Sequence, residues 1–361
     1  AAAFVLMVSS LTFYYTLQLT TERDRAIQAE NIANAAKAAA QRESQTANRV
    51  SEFLTRMFAV NDPNAGIGGK QMTARELLDV GSNSITESLN EEPETKAHLL
   101  QTIGLAYFNL GEQSLGIEHL RQSLAIHRSH SEKTVVAESM NRLANLLRQA
   151  DEYDEAVKLY QESLALHESY SADATWELAD AYNNFGLLIY HLGQYEEAKH
   201  YLNKAISTHR AAAGGNHKSV GINLHNLSLI LRVMAEFNLA EEMIKESLDI
   251  TAKYRGADSS NWAISLQQLG RIENDLGRYN QALSTLNLAL DKYLVHFEPG
   301  NNRMGALWGR MANSHQALGH FQQAENYYQR AIKNFSDTQG PDLSLVVYTE
   351  AEYGSLLRQM K

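Results

Sequence analysis

There is no cysteine anywhere in the 361 residues. That excludes a disulfide framework, a thiolate zinc site and a cysteine nucleophile. It suits an extracytoplasmic chain and a cytosolic one equally. Proline is nearly as scarce: Pro63, Pro93, Pro299 and Pro341 are all there is, each at an expected element boundary, so long helices can run between them. Positive charge is in deficit, with 32 Lys and Arg against 42 Asp and Glu and a formal charge of -10. A general binder of phosphate backbones is therefore not expected, and no nucleic-acid partner is assigned. Catalytic signatures are missing as well. No nucleophile–base pair, paired carboxylate set or metal-ligand spacing stands outside the repeat described below, so no catalytic residue, metal or cofactor is expected. Gly66-Ile67-Gly68-Gly69-Lys70 invites a phosphate-loop reading, but Asn64 and Gln71 stand where that loop needs glycine and a hydroxyl residue.

What is present is a repeat. In residues 181–205, AYNNFGLLIYHLGQYEEAKHYLNKA, the apolar residues Phe185, Leu188, Ile189 and Leu192 recur at helical spacing, Gly193 breaks the pattern, and a second helical run continues to Ala205. The break recurs at Gly111, Asp151, Gly193, Ala235, Gly277 and Gly319, in one step of 40 and four of 42. A small residue in the first helix recurs in the same steps at Gly104, Ala144, Gly186, Ser228, Gly270, Ala312 and Gly354. Another recurs early in the second helix, at Gly116, Ala156, Ala198, Ala240, Ala282 and Ala324. Small residues in both helices let the backbones approach where they cross, and several columns sharing one period indicate an all-α chain, an α-solenoid of helical hairpins.

The hairpins do not fill the chain. Residues 1–20 read as a transmembrane helix, since residues 1–19 hold no charge and about 20 residues span a bilayer core. A cleaved signal peptide ranks second, for want of a basic leader and a cleavage site. The absence of methionine before Ala1 reads as a processed terminus or a fragment of a longer protein. Residues 21–60 read as one alanine-rich stalk helix with a thin apolar seam, either single or paired with a second copy as a homodimer. Residues 61–93 hold a loop and a capping half-repeat. There Thr73 and Glu76 form a capping box, and Ala74, Leu78 and Gly81 precede Gly116, Leu120 and Ser123 by 42. Six hairpins occupy residues 94–341, and residues 342–361 form a terminal capping helix, a partial seventh repeat with Tyr353 and Gly354 in register.

The pattern L-G-x-x-Y-x-x-A, with a small residue in the preceding helix, resembles the tetratricopeptide repeat (TPR), and the period of 42 resembles the longer form found in kinesin light chains and many bacterial regulators. The segments ERDRAIQAE, RVSEFLTRMFAVNDPN, TARELLDVGSNSITESL and ETKAHLLQTIGLAYFNLG are similar to bacterial membrane-anchored serine/threonine kinases with a C-terminal repeat domain. That resemblance implies a kinase domain before the membrane helix. It also implies a single-pass protein of the bacterial inner membrane, with the repeats on the extracytoplasmic side. No kinase signature occurs in this chain, so it would be the sensor end. A stand-alone anchored scaffold that assembles envelope proteins is the other reading.

In tetratricopeptide folds two polar positions of each first helix line the concave groove, so the resemblance points here to Asn141 and Arg142, Asn183 and Asn184, His225 and Asn226, Gln267 and Gln268, and Arg310. Asn145, Arg148, Arg232 and Arg271 fall further along that face. Amides carry both donors and acceptors and suit an extended peptide backbone, while guanidinium forks favour an anionic group. The partner expected is therefore a protein or peptide in the groove, beside the membrane contacted through residues 1–19. Thirteen histidines invite a metal reading. However, the column His127, His167 and His209 continues as Thr251, Tyr293 and Phe335, which marks a half-buried helix end and not a ligand set.

Overall fold

A small residue at the crossing and a break at the turn dictate a helical hairpin, and the structure, a computed structural model, is built from them. It describes residues 72–88, 92–170, 175–297, 300–339 and 344–361, with isolated positions between 15 and 55. Most of the expected membrane helix of residues 1–20 and of the stalk of residues 21–60, and the loop of residues 61–71, lie outside the described residues. Those described between Glu22 and Thr55 are all helical. Among the described residues there is no strand, and no helix is long and apolar enough to cross a membrane.

The chain divides into two compact units, Ala1–Ser139 and Met140–Lys361. In the first, α1 (Ala74–Ser88) packs on α2 (Pro93–Asn109), which pairs with α3 (Gln113–His130). Leu77, Ile85, Leu99, Ile103 and Tyr107 form its core, with Phe53 packed against them. The capping box forms as expected: the Glu76 N–H donates to Thr73 Oγ1 at 3.2 Å and the Thr73 N–H to Glu76 Oε2 at 2.8 Å.

The second unit begins within α4 (Lys133–Gln149). It continues through α5 (Tyr153–Tyr170), α6 (Trp176–His191), α7 (Tyr195–Ala213), α8 (Lys218–Val233), α9 (Phe237–Arg255) and α10 (Ser260–Asp275). It ends with α11 (Tyr279–His296), α12 (Asn302–Ala317), α13 (Phe321–Gln339) and α14 (Ser344–Gln359). The first helices touch one another in succession, α6 on α8, α8 on α10 and α10 on α12, so they share one face. The terminal helix α14 covers α13, burying Leu356 against Ala312, Ala324 and Tyr328.

The turns explain the break column. At each of its six positions the backbone enters the left-handed region, from φ 59° at Ala235 to 86° at Gly111, and the next N–H reaches back five residues, as in Gln194 to the Ile189 carbonyl at 3.1 Å. This closes the helix end and satisfies an orphaned carbonyl. Glycine adopts that conformation freely, but Asp151 and Ala235 hold it at a steric cost of roughly 1–2 kcal/mol. Ion pairs then tie two of the second helices, α7 and α9, to the turn of the next hairpin. Lys199 Nζ lies 2.7 Å from Glu236 Oε1, and Arg278 Nη1 lies 2.9 Å from Glu241 Oε1. Burial acts upward on the Glu241 carboxyl, but the hydrogen bonds from Lys245 and Arg278 prevail and hold it below its usual range.

Ala235→Gly is therefore expected to stabilise the second unit by about 1 kcal/mol, because it relieves left-handed strain at a modest entropy cost. Gly277→Ala, whose added Cβ would meet nothing but whose φ is 73°, should destabilise it by a similar amount. The shift in urea midpoint measures both changes, and the two should have opposite signs.

Candidate functional site

The amides of the first helices lie within reach of each other. Asn226 Nδ2 on α8 donates to Asn183 Oδ1 on α6 at 2.9 Å, and Asn183 Nδ2 donates to Asn184 Oδ1 at 3.1 Å. Asn184 Nδ2 then donates to Asn141 Oδ1 on α4 at 3.3 Å. Each amide has four hydrogen-bonding sites, so this ladder leaves capacity on Asn141, Asn184 and Asn226, which are half-buried. Asn183 and Gln268 are buried, and they back the face instead of lining it. Gln267 accepts from the Tyr293 hydroxyl at 2.7 Å, and Arg142 is exposed.

The arginines separate into two groups. Arg148 is spent locally, donating to Asn145 Oδ1 at 2.9 Å and approaching His191 Nε2 at 3.3 Å. Arg232, Arg271 and Arg310 gather around the end of α10. Arg232 Nη1 meets Asp275 Oδ2 at 2.9 Å, and Asn274 Nδ2 reaches the Arg310 carbonyl at 3.1 Å. Burial first, then the Arg310 and Arg232 charges, pushes the Arg271 guanidinium down to about 10, against the opposing pull of Asp275 and Tyr190. Asp275, Asn274 and Tyr190 were not anticipated. Asn274 and Asp275 lie one turn beyond Arg271 in sequence, and Tyr190 carries no such mark.

His225 is not a groove amide substitute but part of the wall of an open cavity of about 200 Å³ lined by α8, α9 and α10. Gly221, Ile222, Thr251, Ile264 and Ser265 also line it, with Lys218 and Arg255. The His225 ring lies 3.2 Å from Ser265 Oγ through Nδ1, and burial together with the Arg303 charge pushes its imidazole down to about 4. No repeat column marks this cavity.

The histidine column is buried outright, and this corrects the expectation of a half-buried helix end. His127, His167 and His209 occupy the core positions filled elsewhere by Tyr293 and Phe335. His127 Nδ1 meets Ser131 Oγ at 2.7 Å and His209 Nδ1 meets Asn223 Nδ2 at 2.8 Å, whereas His167 Nε2 is buried without a hydrogen-bond partner. Among the described residues no three His, Asp or Glu side chains are grouped to hold a metal ion.

A sequence profile described as tetratricopeptide repeat matches residues 95–169, 177–251 and 222–294, and a second of the same description matches residues 306–337. Among solved structures, BtubC (BKLC) from P. vanneervenii is similar, with 19% identity over 64% of this chain and 91% of that one, at a TM-score of 0.52. A Rap protein complexed with Competence and Sporulation Factor shares 10% identity over 86% of this chain and 85% of its own, at a TM-score of 0.56. The apo form of RapI shares 16% over 79% and 97%, at 0.55. At these identities the likeness is one of fold. No curated protein matches the chain.

Folding leaves His225 with a lowered affinity for protons, while an unfolded histidine titrates near 6.5. The stability that its neutral form contributes is thus complete above about pH 6.5 and is lost as pH falls toward about 4. His225→Asn, which installs the residue type of positions 141 and 183, should reduce the fall in urea midpoint between pH 7 and pH 5. The effect is at most about 2 kcal/mol, and smaller once solvent screening is allowed for. His167, His191 and His315 shift in the same direction, so a residual slope should persist.

Proposed function

The chain belongs to the tetratricopeptide repeat family, and on that premise we propose that the first-helix face of the second unit binds an extended segment of a partner protein. The observation that carries this is the cavity beside His225, which opens next to a row of amides. An engineered apolar cavity of about 150 Å³ holds benzene, so this slightly larger one is the size of a single aromatic or branched aliphatic side chain. An apolar anchor in the cavity and a backbone hydrogen-bonded to Asn184 and Asn226 describe one ligand, a peptide. The Rap protein of the same fold, solved with Competence and Sporulation Factor, supports a binding role in kind.

The finer placement is also a proposal. Tethering to a membrane through residues 1–19 is supported by their lack of charge. Service as the extracytoplasmic sensor of a serine/threonine kinase is supported by the four similar segments, and pairing of two copies by the alanine-rich seam of residues 21–60.

A random displayed-peptide library selected on the full chain is expected to yield sequences sharing one large apolar residue at a fixed position. Ile222 lines the cavity and is 40% exposed, so Ile222→Glu should fold normally. Burying such a side chain is worth roughly 1.5–3 kcal/mol, so this variant should lose at least about tenfold in affinity for the selected peptides. Unchanged affinity would overturn the assignment of the cavity.

A further inference from the structure

Of the half-buried arginines on the first-helix face, three have partners. Arg148 bonds Asn145, Arg232 bonds Asp275, and Arg310 reaches the Tyr348 hydroxyl. Arg271 has no such bond: its Nε, like those of Arg148 and Arg232, is shielded from solvent with no hydrogen-bond partner, but unlike them it has no bond through its terminal nitrogens either. In its column, counted in steps of 42, Asn145, Leu187 and Leu229 precede Arg271 and Asn313 and Ser355 follow, so a charge stands here among amides, leucines and a hydroxyl. It lies beside two more guanidiniums. A lone desolvated cation flanked by like charges is unfavourable unless something completes it.

The surroundings state the charge required. Arg232 on α8, Arg271 on α10 and Arg310 on α12 contribute three positive charges. Asp275 is the carboxylate in contact with the cluster, and Tyr190 on α6 adds a hydroxyl. Glu352 on α14 acts through Tyr348, which stands between it and Arg310. The excess is two charges, and a phosphate monoester carries about −1.5 to −2 at pH 7 with three acceptor oxygens, where a carboxylate carries one charge and two oxygens. Guanidinium forks match phosphate oxygens in pairs.

We propose that Arg271, flanked by Arg232 and Arg310, binds the phosphate monoester of a phosphorylated side chain on the partner segment. The inference rests on the peptide-groove reading above and names the chemistry of its ligand.

Phenyl phosphate and benzoate, titrated into the full chain at constant ionic strength and pH 7.5 by calorimetry, test the site without any peptide. Phenyl phosphate should bind at least tenfold more tightly than benzoate, and more weakly below pH 6 as it takes up a proton. Arg271→Gln should reduce its binding at least tenfold and Arg271→Lys by an intermediate factor. Ile222→Glu should leave it unchanged, so the phosphate site and the cavity are tested apart. A library-selected peptide made with and without phosphoserine then separates a protein-borne phosphate from the free ion. The phosphorylated form should gain at least tenfold in the parent and nothing in Arg271→Gln. Equal binding of the two anions, full binding by Arg271→Gln, or inorganic phosphate matching phenyl phosphate with no gain from phosphoserine would each overturn the proposal.

Discussion

Everything in this chain depends on the place where the two helices of a hairpin cross with almost no side chain between them. A Cβ added to Gly104 would sit 2.9 Å from the Gly116 carbonyl oxygen, and one added to Gly116 would sit 2.7 Å from that of Gly104. At Gly270 the added atom would fall 2.6 Å from Leu286. Interiors are packed too densely to absorb such an atom, so the crossing point is pinned to these columns. With the crossing fixed, the left-handed turn has only one length that closes the first helix and starts the second in phase. Gly354, in the helix that lacks a partner, confirms the reason by contrast: only the tip of Arg358, at 3.9 Å, lies near it.

A pinned crossing makes the contacts periodic. Bonds between successive first helices join residues 43 apart, at Arg148 with His191, Asn141 with Asn184, Asn183 with Asn226, Arg232 with Asp275 and Gln316 with Gln359. Ion pairs from a second helix to the following turn join residues 37 apart, at Lys199 with Glu236 and Glu241 with Arg278. Within a hairpin, Ser123 reaches the Ala97 carbonyl and Ser247 that of Gly221, both 26 apart. The first-helix face is therefore a lattice whose spacing is set by glycine and alanine in the core.

That lattice explains what could be read in advance. The hairpins, the turn positions, the capping box at Thr73 and the terminal helix follow from local chemistry repeated at a fixed interval, and all were legible. Side-chain partnership was not. Asn183 looked like a groove residue because it shares a column with Asn141, yet it is buried and hands its hydrogen bond to Asn184. Arg148 looked available, but His191 lies one step of the lattice away, and a step of 42 cannot reveal a partner at 43. The histidine column was placed too near the surface because imidazole is polar. In the fold Ser131 and Asn223 supply hydrogen bonds that let it stand where Tyr293 and Phe335 do. Burial of a polar ring is a question of partners, and partners from other helices have no local signature.

In a repeat, column agreement reports the scaffold and column disagreement reports what the scaffold was adapted to do. Arg271, in a column that otherwise holds Asn145, Leu187, Leu229, Asn313 and Ser355, gains nothing for the stacking of helices, since it adds a charge beside two like charges. His225 after Asn141 and Asn183 ends the amide ladder and gives the cavity a neutral wall, held neutral by burial and by Arg303. Both departures lie on α8 and α10, adjacent first helices of one unit. The chain as a whole is acidic, at -10, so cations concentrated on that single face are not a reflection of composition. An apolar recess and a half-buried cation beside two like charges, on neighbouring first helices, are not what helix stacking alone requires.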